Sequence, residues 1–143
     1  MYLQTQFSIF LVNKPGVLAG ITEALAKADV NIIALTLVDS MEHGVLRIVC
    51  DKAQAARELL KKAHDRWTET DVMVIELGNE PGAFAKVSSR LAGEHINISY
   101  AYCTASPEAS CATAVFKVAD MNKARKILGD SPAGENGPPP PRQ

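Results

Sequence analysis

Nowhere in this 143-residue sequence do 18 apolar residues run together, and the N-terminus has neither the basic flank nor the apolar core of a secretion signal. These absences exclude a helical membrane protein and point to the cytoplasm. An excess of one charge is missing too: 15 basic against 16 acidic residues give a formal charge of −1, which leaves no footprint for nucleic acid or anionic lipid. Cysteine is scarce, with Cys50, Cys103 and Cys111 an odd set at spacings without metal-site logic, so reduced thiols are expected. Cys103 and Cys111 flank a hairpin loop centred on Pro107, where a bridge across two strands is sterically conceivable. His43, His64 and His95 have no second ligand at metal spacing. Ser88-Ser89 has no paired base, and Glu69, Asp71, Glu76 and Glu80 read as a solvated run. With no Gly-x-Gly-x-x-Gly and no phosphate-binding Lys-Ser/Thr motif, the expectation is a protein without catalytic residues, cofactor or metal.

What is present is a repeat of one unit of about 65 residues. Asn13-Lys-Pro-Gly-Val-Leu-Ala19 returns as Asn79-Glu-Pro-Gly-Ala-Phe-Ala85, and Val30-Asn31-Ile32 returns as Ile96-Asn97-Ile98, both 66 residues on. Matching Leu46-Arg-Ile48 to Phe116-Lys-Val118, 70 residues on, implies four extra residues in the second copy, around Ala105 to Ser110. A composition 47% apolar and 22% charged supplies a core for each copy.

Each copy reads in the same order. Phe7, Ile9 and Leu11, and likewise Met73, Ile75 and Leu77, alternate as a strand with one buried face. Leu18, Ile21, Leu25 and Ala28, matched by Phe84, Val87 and Leu91, carry a helical stripe. Hairpin strands follow near 30–38 and 44–50, then near 96–104 and 111–118. Second helices are expected near 52–64 and 120–128, with Asp51 and Asp120 as N-caps. Arg66-Trp-Thr-Glu-Thr70 reads as a fourth strand passing directly into copy two, whereas copy two lacks a clear last strand. The expected class is α+β: two ferredoxin-like βαββαβ units in tandem, antiparallel sheets with helices on one face, spanning 1–70 and 71–129, with a disordered Pro-rich tail over 130–143.

The Asn-x-Pro-Gly loops are the most informative local feature. Each joins a strand end to a helix N-terminus, where first-turn N–H groups near Gly16, Val17 and Leu18, and near Gly82, Ala83 and Phe84, can hold a carboxylate. Asn13 and Asn79 can instead cap or brace the turn, with Pro15 and Pro81 opening the helices. The second asparagine, Asn31 or Asn97, has no place in a purely capping role.

From residue 5 to about 128 the chain resembles tandem ACT domains, small regulatory amino-acid-binding modules. The motifs Asn13-Lys14-Pro15-Gly16-Val17-Leu18 and Asn79-Glu80-Pro81-Gly82-Ala83-Phe84, followed by Asn31-Ile32 and Asn97-Ile98, are similar to the family's ligand loop and second strand. In the serine-sensing domain of phosphoglycerate dehydrogenase, asparagines at both places contact the effector. The resemblance implies a free amino acid bound between ACT units, in a homodimer, with loop amides on its carboxylate and asparagine side chains or strand carbonyls on its amino group. That domain also uses a histidine where this chain has Leu11 and Leu77, so an apolar or aromatic amino acid is favoured over serine. Tyr100 and Tyr102, in place of Ala34 and Thr36, are either pocket lining or packing and imply unequal sites. A metabolic enzyme is a possible partner, because Asn31-Ile-Ile-Ala-Leu-Thr-Leu37 is similar to the ACT strand of the acetolactate synthase regulatory subunit. An enzyme or an RNA binder on the same sandwich is the remaining reading. RNA stacking would want aromatics on the central strands of both copies, but Glu76 stands opposite Phe10 in the repeat.

Overall fold

The computed structural model describes residues 1–12, 14–40, 43–63 and 66–129. Its elements run β1 (Tyr2–Val12), α1 (Val17–Lys27), β2 (Ile32–Ser40), β3 (His43–Cys50), α2 (Ala53–Ala63), β4 (Trp67–Gly78), α3 (Ala83–Gly93), β5 (Ile98–Thr104), β6 (Cys111–Val118) and α4 (Met121–Leu128). Among the described residues no helix is long and apolar enough to cross a membrane. The chain divides into two compact units, one of Thr5–Thr70 and one of Met1–Gln4 with the chain from Asp71 on. The proposed tail over 130–143 lies outside the described residues.

In the first unit the strands lie in the order β2-β3-β1-β4, with β3 antiparallel to both neighbours. Period-two alternation puts Phe7, Ile9, Leu11, Leu46, Ile48 and Cys50 on one face, and Ile21 and Leu25 of α1 with Ala56 and Leu60 of α2 close over it. Burying each large aliphatic side chain there is worth about 1.5–3 kcal/mol. The fourth strand is held at Trp67, whose ring meets Phe7 edge-on at 5.8 Å, and at Glu69, which accepts two hydrogen bonds from Arg57 of α2 at 2.8 and 3.0 Å.

The second unit has the corresponding order β1-β4-β6-β5, and the N-terminal stretch of β1 occupies the fourth-strand place. Met1 and Leu3 pack against its core of Met73, Ile75, Leu77, Leu91 and Phe116. Copy two has no strand of its own after α4 among the described residues, and Met1–Gln4 supplies one. Residues 1–4 of the expected first domain thus cluster with the second unit.

The strand register corrects the expected insertion. Ile48 faces Phe7 and Phe116 faces Met73; Cys50 faces Ile32 and Val118 faces Ile98. Phe116 and Val118 therefore stand 68 residues after their counterparts, which leaves two extra residues in copy two where four were expected. A slip of two keeps every side chain on its face, so the alternation could not distinguish the two alignments. The six-residue connection 105–110 is partly offset by β5, which has 7 residues where β2 has 9.

Two local expectations also change. Asp120 caps α4 by accepting from Lys123 N–H at 2.9 Å, but Asp51 does not cap α2; its Oδ1 accepts from Asn31 N–H at 2.9 Å. Cys103 and Cys111 are free thiols, because Cys103 faces Ala114 on β6 while Cys111 faces Gly78 on β4, which leaves them unopposed. Both β2 and β5 begin with a register irregularity, at Ile32/Ala34 and Ile98/Tyr100, a strand bulge kept in both copies.

Candidate functional site

At Gly16 and Gly82 the two loops have the same backbone conformation. Gly16 and Gly82 occupy the helix N-cap positions with φ of 89° and 86°, and neither helix has a side-chain cap. This left-handed conformation follows proline as in a type II turn, and a Cβ would cost about 1–2 kcal/mol through the backbone alone, since space around both glycines is open. The first i→i−4 bonds run from Gly20 N–H to Gly16 C=O and from Lys86 N–H to Gly82 C=O, each 2.9 Å. The amides of Leu18 and Ala19, and of Phe84 and Ala85, precede those bonds and are left for outside acceptors.

Of the capping and bracing roles weighed for the loop asparagines, Asn79 takes the second. Its Nδ2 donates to the carbonyls of Ser106 and Ala109, both at 2.9 Å, and its N–H donates to Ser110 O at 3.1 Å. The loop peculiar to copy two is thereby tied to β4. Asn13 lies outside the described residues.

In the first unit the loop forms one side of a shallow cleft that is open to solvent, with about 350 Å³ of space when the open solvent at its mouth is counted. Leu11 and Val12 enter from the end of β1, Lys14 and Leu18 from the loop and α1, and Leu37, Val38 and Asp39 from the end of β2, with Gly44 between the strands. The register Leu11↔Gly44↔Asp39 and Ile9↔Leu46↔Leu37 places Leu11, Leu37, Asp39 and Gly44 on the helix-bearing face. Gly44 sits tightly in the cleft: a Cβ there would lie 3.3 Å from Leu37 Cδ1. Leu37 is 47% exposed, a large apolar surface for a wall. The cleft is thus lined by one lysine, one aspartate and an aliphatic surface.

The same positions in the second unit carry different chemistry. Glu80 replaces Lys14, Phe84 replaces Leu18, Cys103 replaces Leu37, Ala105 replaces Asp39 and Ala112 replaces Gly44. The Phe84 ring lies stacked on Phe116, centroids 5.1 Å apart and planes 21° from parallel. A carboxylate stands in place of the cation, the Asp39 carboxylate has no counterpart, and an aromatic ring stands where the first unit has leucine.

Asn31 and Asn97 lie at the other end of the strands from their own loops. Asn31 exchanges backbone bonds with Asp51, its N–H donating to Oδ1 and its carbonyl accepting from Asp51 N–H at 3.0 Å, while Ala119 N–H donates to Asn97 O at 3.0 Å. Lys52 Nζ reaches the carbonyl and carboxylate of Asp29 at 2.6 and 2.8 Å, holding that carboxyl below its ordinary range and raising the ammonium. Asp29 and His95 share a left-handed φ of 57°, so His95 ends a helix in the way Asp29 does. Within one unit, then, the loop and the second asparagine do not meet. Ile32 and Ile98 are half-buried beside these asparagines, and Tyr100 and Tyr102 are half-buried opposite Lys117 and Val115, on the face away from the second core.

Cys50 is buried, and desolvation, with the nearby Asp51 charge, pushes its thiol up to about 12, which makes it inert near neutral pH. Among the described residues no group of three or more His, Cys, Asp or Glu could hold a metal. Leu11, Val12, Leu37, Val38, Asp39 and Gly44 were missed as site residues in the sequence. The available signals were Asp39 ending the apolar run of β2 and a glycine at the start of β3.

Comparison with known proteins bears on the whole chain. A Bacteroides thetaiotaomicron protein of known structure is 36% identical, with a TM-score of 0.82 over 88% of this chain and 86% of that one. The regulatory subunit of aspartate kinase from Thermus thermophilus is 17% identical, TM-score 0.60, over 79% and 81%. Escherichia coli aspartokinase III, solved in complex with lysine and aspartate, is 13% identical, TM-score 0.55, over 90% of this chain and 30% of that one. No curated protein matches. The sequence description of the ACT domain pair matches residues 1–131, so the chain belongs to the ACT domain pair family.

Proposed function

We propose that the protein is a non-catalytic sensor that binds a free amino acid and regulates amino-acid metabolism. The observation that carries this reading is the first-unit cleft, where Lys14 of the loop stands beside an aliphatic wall of Leu11, Leu18 and Leu37, a setting for a molecule with a carboxylate and an apolar side chain. Membership of a regulatory family supports it. So does the fold shared with E. coli aspartokinase III, whose structure holds two amino acids.

The sensor works as a homodimer in the cytoplasm, and a composite site in which Asn31 or Asn97 of one copy meets the loop of another requires that dimer. Leu35, Leu37 and Val38, exposed on the edge strand β2, are the apolar surface available for it. Occupancy is relayed by tightening that interface. Melting temperature in the presence of each of the twenty amino acids tests the reading. Mass action requires about 2.7 kcal/mol of stabilisation at a hundredfold excess over Kd. No shift with any amino acid at millimolar concentration would sink it.

A second reading, a regulatory subunit clasping a catalytic chain such as acetolactate synthase, draws on the Thermus neighbour, itself a separate regulatory subunit. Co-purification of a biosynthetic enzyme with the tagged chain would favour it.

A further inference from the structure

We infer that the outer surface of α3 and α4 in the second unit is a docking surface for an acidic segment of a partner protein. The charged residues of these helices are Lys86 and Arg90 of α3 and Lys123, Arg125 and Lys126 of α4, and neither helix carries an acidic side chain. Lys86, Arg90, Lys123 and Lys126 are exposed. The helices lie side by side and antiparallel, because Arg90 donates from Nη2 to Ile127 O while Lys123 Nζ donates to Glu94 O at 2.6 Å. Their cations therefore share one surface. The nearest acids in sequence, Glu80, Glu94 and Asp120, lie outside the helices, and Asp120 is engaged as the N-cap of α4. The first unit arranges its charges differently. In α1 Glu23 stands four residues before Lys27, and in α2 Lys61 pairs with Glu58 at 3.7 Å while Arg57 pairs with Glu69 at 2.8 Å.

Helix stability does not account for this concentration of one sign. Lys86 and Arg90 stand four residues apart and Lys123 and Lys126 three, spacings at which like charges weaken a helix. Lys86 also lies in the first turn of α3, where the helix dipole disfavours a cation. Carboxylates brought by a partner would relieve both penalties. Beside the cations α3 exposes Ala85, Ser89 and Ala92, short side chains that let a partner's backbone come close enough for its carboxylates to reach. A nucleic acid fits less well. The chain as a whole carries a formal charge of −1, which does not attract a long polyanion, and the exposed ring of α3, Phe84, is held against Phe116. The inference goes beyond the sensor reading by naming where a partner sits, and it does not depend on any amino acid binding.

Fluorescence anisotropy of a labelled glutamate–alanine peptide titrated with the full chain tests this, with a lysine–alanine peptide and a single-stranded DNA of matched charge for comparison. The acidic peptide should bind, more weakly as salt is raised, and the basic peptide should not. Lys86→Glu combined with Lys126→Glu should weaken the acidic peptide about tenfold or more, because like charges then face each other across the contact. Lys62→Glu in α2 should leave binding unchanged. The melting temperature of the double variant should hold or rise, since Lys86→Glu turns a repulsive pair with Arg90 into an attractive one. No binding of the acidic peptide, binding untouched by the double variant, or a fall in its melting temperature would overturn the inference. Tighter binding of the DNA than of the acidic peptide would overturn it too, by making the surface one for nucleic acid. Each of these outcomes leaves the sensor reading standing, because none of the substituted residues lines the first-unit cleft.

Discussion

The two copies agree in backbone and part company in side chains. Gly16 and Gly82 differ by 3° in φ, Asp29 and His95 share a φ of 57°, and both second strands open on a bulge two residues from an asparagine. Where the first copy lines a cleft with Lys14, Leu18, Asp39 and Gly44, the second has Glu80, Phe84, Ala105 and Ala112. The lesson is that the motif Asn-x-Pro-Gly specifies a way of entering a helix, a task both copies need, while the side chains around it are free to differ. The copies also close differently. The first is completed by its own Trp67–Thr70, the second by residues from the far end of the chain.

The largest test of that contrast is deletion of Tyr2–Gln4. It removes a strand and the packing of Leu3 on the second core, and should cost about 3–5 kcal/mol. Native-state hydrogen exchange should lose protection at Ala112–Val118 and keep it at Leu46–Cys50; equal protection in both would break the distinction. Next, Gly16→Ala and Gly82→Ala should each cost about 1–2 kcal/mol, read from urea midpoints at constant slope. A difference between them above about 1 kcal/mol would deny that the loops are alike. Phe84→Leu should cost about 1 kcal/mol by removing the stack on Phe116, less than a buried ring would because Phe84 is half-exposed.

The smallest effect concerns pH and belongs to the first unit. Hydrogen bonding to Arg57 holds the Glu69 carboxyl below its ordinary 4.5, so the unfolded chain takes up this proton first as acid is added. The stabilisation is present above pH 4.5 and is lost as pH falls through the folded value. Glu69→Gln should therefore lower the melting temperature slightly near neutral pH, with the difference from the parent closing in acid. A constant difference at all pH values would show that the ion pair is not its source.

Element order and both cores were legible in the sequence because apolar periodicity reports local geometry directly; the proline-glycine pairs marked the approach to α1 and α3, although Pro15 and Pro81 stand before the N-cap glycines and do not open the helices as expected. Three things were not. The strand exchange was hidden because Tyr2–Val12 is one unbroken strand, with nothing at Gln4-Thr5 to mark a change of unit. The insertion length was misjudged because a two-residue slip conserves facing, and the same register separates Cys103 from Cys111. Most of the cleft was missed because its walls come from strand ends, where side chains meet through pairing and not through proximity in sequence. Lys14 and Leu18, two of the residues singled out in the loop, do line it.

An amide NMR titration of the full chain with each of the twenty amino acids tests the account most directly. At least one is expected to shift the amides at Lys14–Gly20, at Leu37–Asp39 and around Gly44. No shift at these positions with any of the twenty would contradict it.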